Sequence, residues 1–303
     1  MKYFAMKIGV TMACLIAVVG GIWWAVSRQQ PSTKSAHGLQ VTASYYPLYE
    51  FARQVGGDAV TVRNITPAGS EPHDFEPAAN VLAQAESSDI FIYNGTGMEP
   101  WAAGFVQTYA GTAIKASDGL TLRGGEEGHK DPHFWLDPVA AQHIVTSLRD
   151  AFSKADPSHS ALYAQNAQAY SDQLAQLDAA YHQALQHCQL RTVVTSHDAF
   201  EYLAQRYNFS VIPLAGLSPE EEPSAAHLAN VADIVRQKNI RYIFFESLVS
   251  PRLADTIATE TGAKTLVFDP LEGVSDADQK EGKNYVSIQK QNLQNLATAL
   301  ACR

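Results

Sequence analysis

The sequence predicts an α/β fold of two lobes, each with a parallel sheet flanked by helices, joined by one long rigid helix. Two observations carry this prediction. Short β-rich runs alternate with helical runs of about ten residues, once before residue 118 and again after residue 190. Between the two series lies a stretch with no glycine or proline from Ser158 to His187.

The first series opens with the strand "LQVTASYY" from Leu39. The helix "PLYEFARQVG" follows, entered on Pro47 and closed by Gly56 and Gly57. "AVTVRNI" is a strand, "PAANVLAQAESS" a helix, "DIFIYNG" a strand, "EPWAAGFVQTYAG" a helix and "TAIKAS" a strand. The second series runs "RTVVTSH" (strand), "DAFEYLAQRYN" (helix), "FSVIPLAG" (strand) and "EPSAAHLANVADIVRQKN" (helix). It ends with "IRYIFFES", "PRLADTIATETG", "AKTLVFD" and the helix "VSIQKQNLQNLATALA". In the connector, Leu162, Tyr170, Leu174, Leu177, Tyr181 and Leu185 recur at helical spacing and share a face. A helix from Pro157 to His187 would span roughly 45 Å. The expected division is 39–155 and 189–303 for the lobes, with 156–188 between them.

The N-terminus reads as an address. Lys2 and Lys7 precede an uncharged apolar run, Ile8 to Val26, and a polar linker follows over 28–38. This pattern is an export signal over 1–27. It is either cleaved after Ser27 or kept as an anchor, since the run is long enough to span a bilayer. Both place the remainder on the periplasmic or extracellular face of the membrane. Cys14 lies inside the run with "VTMA" before it, which is a poor lipidation box. Cys188 and Cys302 remain, and an oxidising compartment lets them pair. The net charge of −9, with no basic cluster, argues against a nucleic-acid partner.

Four residues sit at or just beyond strand carboxyl ends, where α/β folds bind ligands. They are His73 in "GSEPHDFEP", His133 in "DPHFWLDP", His197 ending "RTVVTSH" and Asp269 ending "AKTLVFD". Pro72 and Pro77 stiffen the His73 loop. If both lobes turn these ends to one cleft, three imidazoles and one carboxylate converge. That set suits four-coordinate Zn2+, whereas Mn2+ favours more oxygen donors.

The motifs "EPHDFEP", "DPHFWLDP", "VVTSHDAF", "GLSPEEEPS" and "DPLEG", in this order, resemble the metal-binding receptors of zinc and manganese ABC transporters, most closely the zinc-type members. The resemblance runs from about Gln40 to Ala301. It implies metal held between two lobes by His73, His133, His197 and Asp269, with Glu71 as the local substitute for the fourth position. It also implies a monomeric, non-enzymatic receptor that passes its ion to an integral-membrane permease. His197 stands where manganese-type relatives generally carry a glutamate. The short "RGGEEGHKDPH", with Glu126, Glu127 and His129, replaces the long His- and acid-rich loop of many zinc-type members and reads as a solvated loop.

Three alternatives stay open: a manganese-preferring receptor, a surface adhesin and a zinc hydrolase with Asp74, Asp198 or Glu201 as base. No HExxH or Ser-centred motif supports the hydrolase. Phe134 and Trp135 read as packing beside the site, and Tyr45 and Tyr46 as core or cleft wall. Glu220, Glu221 and Glu222 read as a solvated turn leading into a helix. His143, His159, His182, His187 and His227 read as solvated or partly packed helical residues, and His37 as part of the linker.

Overall fold

The structure is a computed structural model that describes residues 38–124 and 130–303. The N-terminal apolar run, its cleavage site, Cys14, His37, Glu126, Glu127 and His129 lie outside the described residues. No helix among the described residues is long and apolar enough to cross a membrane.

The first sheet holds β1 (Leu39–Ala43), β2 (Val60–Asn64), β3 (Ile90–Tyr93) and β4 (Thr112–Lys115), in the order β2-β1-β3-β4. The second holds β5 (Thr192–Thr195), β6 (Ser210–Pro213), β7 (Tyr242–Phe245) and β8 (Lys264–Val267), in the order β6-β5-β7-β8. Every strand pair is parallel. Central strands such as "IFIY" and "YIFF" are apolar at successive positions because helices cover both faces. The order reverses beside β1 and again beside β5, which opens a crevice at the strand carboxyl ends.

Helices α1 (Tyr46–Gly56), α2 (Ala79–Glu86) and α3 (Ala102–Thr108) belong to the first series. Next come α4 (Pro138–Ala155) and α5 (Ser160–Ala184). The second series has α6 (Glu201–Tyr207), α7 (Ala225–Gln237), α8 (Arg252–Thr261), α9 (Asp276–Lys280) and α10 (Tyr285–Ala299).

The connector differs from expectation in two ways. First, α5 has 25 residues, about 38 Å at helical rise. A separate 3-10 turn, Pro157–His159, precedes it, and the chain leaves the helix at Leu185 to reach the cysteine bridge. Second, α5 is packed against α4, an 18-residue helix not distinguished in the sequence pattern. Its start is legible after the fact. The Asp137 carboxylate accepts a hydrogen bond from Val139 N at 2.8 Å, and Pro138 opens the first turn.

The buried face of α5 carries Tyr163, Ala167, Tyr170, Leu174, Leu177 and Tyr181. One apolar core joins it to both sheets, from Val41 and Phe51 through Leu148 and Leu177 to Val193, Phe244 and Leu296. The halves therefore share their largest core. Smaller clusters lie beneath the outer helices of each sheet.

Cys188 and Cys302 form a disulfide across 114 residues of chain. It fastens the end of α10 to the start of β5, where Leu190 N donates to Leu300 O at 3.0 Å. Closing a loop of this length restricts the unfolded chain and contributes about 5 kcal/mol in the chain-entropy account. Cys302→Ser should therefore lower the denaturation midpoint strongly while leaving the fold intact. Equal midpoints for the oxidised and reduced protein would contradict this.

Candidate metal centre

His73, His133, His197 and Glu272 each direct one donor atom to a common point, with all four atoms within 4.8 Å of one another. His73 comes from the loop after β2, and His133 from the long connection after β4. His197 lies two residues past β5, and Glu272 sits in the loop after β8. All four thus stand beyond strand carboxyl ends, two from each sheet.

The spacings are close. Glu272 Oε1 lies 3.3 Å from His73 Nε2, 3.1 Å from His133 Nε2 and 3.2 Å from His197 Nε2. His133 Nε2 is 3.3 Å from both His73 Nε2 and His197 Nε2. Four donors held about 2.0 Å from one ion at tetrahedral corners stand about 3.3 Å apart. The cluster already has the dimensions of a filled zinc-type site.

The outer hydrogen bonds set the ring tautomers. Asp131 Oδ1 accepts from both the backbone N and Nδ1 of His133, each at 2.9 Å. Glu246 Oε1 accepts from Nδ1 of His197 at 2.7 Å and from its backbone N at 3.2 Å. A carboxylate oxygen at Nδ1 requires the proton there, which leaves the Nε2 lone pair facing inward. Glu71 Oε1 accepts from the backbone N of His73 at 3.1 Å. The His73 ring has no carboxylate at Nδ1 among the described residues, and it is the most open of the four at 9% side-chain exposure.

Charge in this pocket is strongly coupled. Burial opposes charging His197, but the charges of Glu246 and Glu272 outweigh it and raise its pKa well above the usual value. Burial also opposes ionising Glu272. The charge of His197 and hydrogen bonds from His133, His197 and His73 nevertheless hold it well below the usual carboxylate range. Desolvation pushes His73 down. Burial, reinforced by the charge of Glu272, pushes Glu71 up to about 10. The second oxygen of Glu71 is buried without a partner.

Asp269 is not among the converging donors. Its Oδ2 accepts from Ser247 Oγ at 2.7 Å and its Oδ1 from Leu271 N at 2.7 Å. Its backbone N donates to Asn292 Oδ1, and Asn292 Nδ2 donates back to its carbonyl. It pins the loop to α10, and burial raises its pKa to about 6. Two residues later the loop turns back at Leu271, fully buried with φ of 60°, and aims Glu272 into the pocket. A leucine in this left-handed region costs about 1–2 kcal/mol. The motif "DPLEG" contained Glu272, but nothing in its residue types announces a reversal at leucine.

The walls are built from named partners. Asn94, just past β3, donates its amide to Pro132 O at 3.0 Å and to Tyr45 OH at 2.8 Å. Trp135 Nε1 donates to Pro270 O at 2.9 Å, and Tyr285 OH to Trp135 O at 2.5 Å. These bonds tie the His133 segment to the loop carrying Glu272. Tyr45 is fully buried and stacks edge-on to Trp135 at 5.1 Å, so it belongs to the core behind the site. His143, His159, His182, His187 and His227 stand outside the cluster.

Comparison with known proteins gives a consistent result. Residues 41–299 match the profile of the family described as zinc-uptake complex component A, periplasmic. AdcA of Streptococcus pneumoniae, named a zinc-binding lipoprotein, is 39% identical over 281 residues, covering 87% of this chain and 56% of AdcA. The chain thus spans little more than half the length of that relative. The solved Zn(II)-bound ZnuA-like domain of AdcA has a TM-score of 0.78 at 38% identity, covering 87% of this chain and 99% of the domain. The high-affinity zinc uptake system protein ZnuA of Bacillus subtilis is 37% identical over 279 residues, covering 86% and 88% of the two chains. The laminin-binding protein Lmb of Streptococcus agalactiae, described as bifunctional with adhesin and metal-transporting activity, has a TM-score of 0.79. It is 34% identical, with 87% of this chain and all of Lmb covered.

Proposed function

The chain belongs to the zinc-uptake complex component A family, and from that premise we propose that it is an extracytoplasmic high-affinity receptor that captures Zn2+ and hands it to an integral-membrane ABC permease. The observation that carries this reading is the convergence of three imidazole nitrogens and one carboxylate oxygen at tetrahedral spacing. His73, His133, His197 and Glu272 are the proposed ligands, with the ion as cargo. Asp269 serves as the support of the Glu272 loop. All four donors come from one chain, so a monomer suffices.

The family is one of uptake components, not of enzymes. The site agrees, because four protein donors leave no open position for a catalytic water. Nitrogen-rich, four-donor geometry also favours zinc over manganese. We propose that the apolar N-terminal segment exports the receptor, as a signal or as an anchor.

The test is elemental analysis and competition titration of the purified protein. One Zn2+ per chain is expected, with Mn2+ displaced readily. Absence of stoichiometric metal would overturn the reading, and preference for Mn2+ would reassign the cargo. Glu272→Gln should weaken zinc binding by more than about 100-fold. Asp131→Asn and Glu246→Gln should each cost roughly 10–100-fold, because they lose only the support of a ligand. Asp269→Asn costing more than Glu272→Gln would restore Asp269 as the ligand. Neutral imidazoles bind and protonated ones do not. Because Glu246 and Glu272 hold His197 well above the usual histidine value, affinity should already be falling at pH above that value and fall further as pH drops into the mildly acidic range. Isotherms that do not move between neutral and mildly acidic buffer would contradict imidazole ligation.

A further inference from the structure

We propose that Tyr202 is a positioning residue that locks the His133 and His197 arms of the site together and so sets the residence time of the bound metal. This rests on the receptor reading above. Tyr202 lies on α6, five residues after His197, and is 8% exposed. Its hydroxyl accepts a hydrogen bond from Arg123 N at 2.9 Å and donates one to Asp131 O at 3.0 Å. Arg123 and Asp131 face each other, with Asp131 N donating to Arg123 O at 3.3 Å. The hydroxyl thus bridges residues 123 and 131 and joins them to a helix of the other sheet.

Asp131 is the residue that holds both the backbone N and Nδ1 of His133. A continuous path therefore runs from His197 along the start of α6 to the Tyr202 hydroxyl. It passes on through Asp131 to the ring of His133. Two arginines also keep α6 in register with this segment. Arg123 reaches Gln205 Oε1 at 2.6 Å and Glu201 Oε2 at 3.0 Å, while Arg206 pairs with Asp137. These grips are ion pairs or amide contacts on partly exposed side chains, which water and salt weaken. The bond from Tyr202 to Asp131 O is buried and reaches the ligand support directly, so it carries the geometry.

Loss of this hydroxyl removes one of the two bonds on the Asp131 backbone among the described residues and loosens the carboxylate that supports His133. An ion already held by four donors would then leave sooner, whereas the encounter of a free ion with the cleft changes little. Tyr202→Phe keeps the ring against Phe134, whose centroid lies 6.5 Å away, so the core stays filled. Tyr207→Phe is the matched control. It removes a hydroxyl from the same helix, one bonded to Asp178 Oδ1 at 2.8 Å, with no bond to residues 123–133.

The experiment loads the whole chain with Zn2+ and measures release into excess chelator by stopped flow, with association and metal-free melting recorded alongside. Tyr202→Phe should speed release about tenfold, in the range for losing a ligand's supporting bond, with association unchanged. Tyr207→Phe should release at the wild-type rate. Wild-type release from Tyr202→Phe, or equal acceleration in both variants, overturns the inference. A wild-type chain that holds no zinc sinks the receptor reading and this inference with it. A tight wild type with an unchanged Tyr202→Phe sinks the inference alone.

Discussion

Three imidazole nitrogens and a carboxylate oxygen converge on one buried spot, an arrangement that positive charge between them stabilises. Burial removes the water that would otherwise solvate each donor. Neighbouring carboxylates at the outer nitrogens keep the lone pairs turned inward. The pocket can be neutralised by protons, as the raised pKa of His197 shows, or by a cation. A small divalent ion at this spot would relieve what the fold imposes.

The fold imposes it through strand ends and a braced central segment. Each sheet sends two donors from loops beyond its carboxyl edge. Residues 131–137 then knit the halves together. Pro132 receives a bond from Asn94, Trp135 reaches Pro270 and receives Tyr285, and Leu136 O accepts from Gln289 at 3.1 Å. The largest apolar core spans both sheets and the helices between them. Such an interface resists free hinging of one half against the other.

Bracing of the ligands is unequal. His133 and His197 are each held at the backbone and at Nδ1 by one carboxylate, and both rings are fully buried. Glu272 is aimed by a strained turn whose carbonyls are tied to Trp135 and Asn292. His73 sits on a proline-stiffened loop with a single backbone bond from Glu71 and no carboxylate at its outer ring nitrogen among the described residues. The firmest bracing is thus concentrated in three arms of the cluster.

Much of this was present in the residues alone. Alternating strand and helix patterns gave the α/β class because backbone periodicity is local, and histidines just past β-rich runs marked the cleft because chain direction fixes which strand end a loop leaves. The three histidine positions were readable for the same reason, and Cys188 and Cys302 were readable as partners because they are the two cysteines outside the apolar N-terminal run. The fourth donor was not. Asp269 looked right because it ends its strand, but its oxygens are spent on Ser247 and Leu271. Glu272 enters the pocket only because buried Leu271 adopts a left-handed conformation that leucine avoids by itself. Tertiary packing overrode local preference there. It also packed a further helix, α4, against the expected connector α5, and placed Tyr202 against Asp131 from 71 residues away. Sequence determined which groups could bind an ion; long-range packing decided which of them meet.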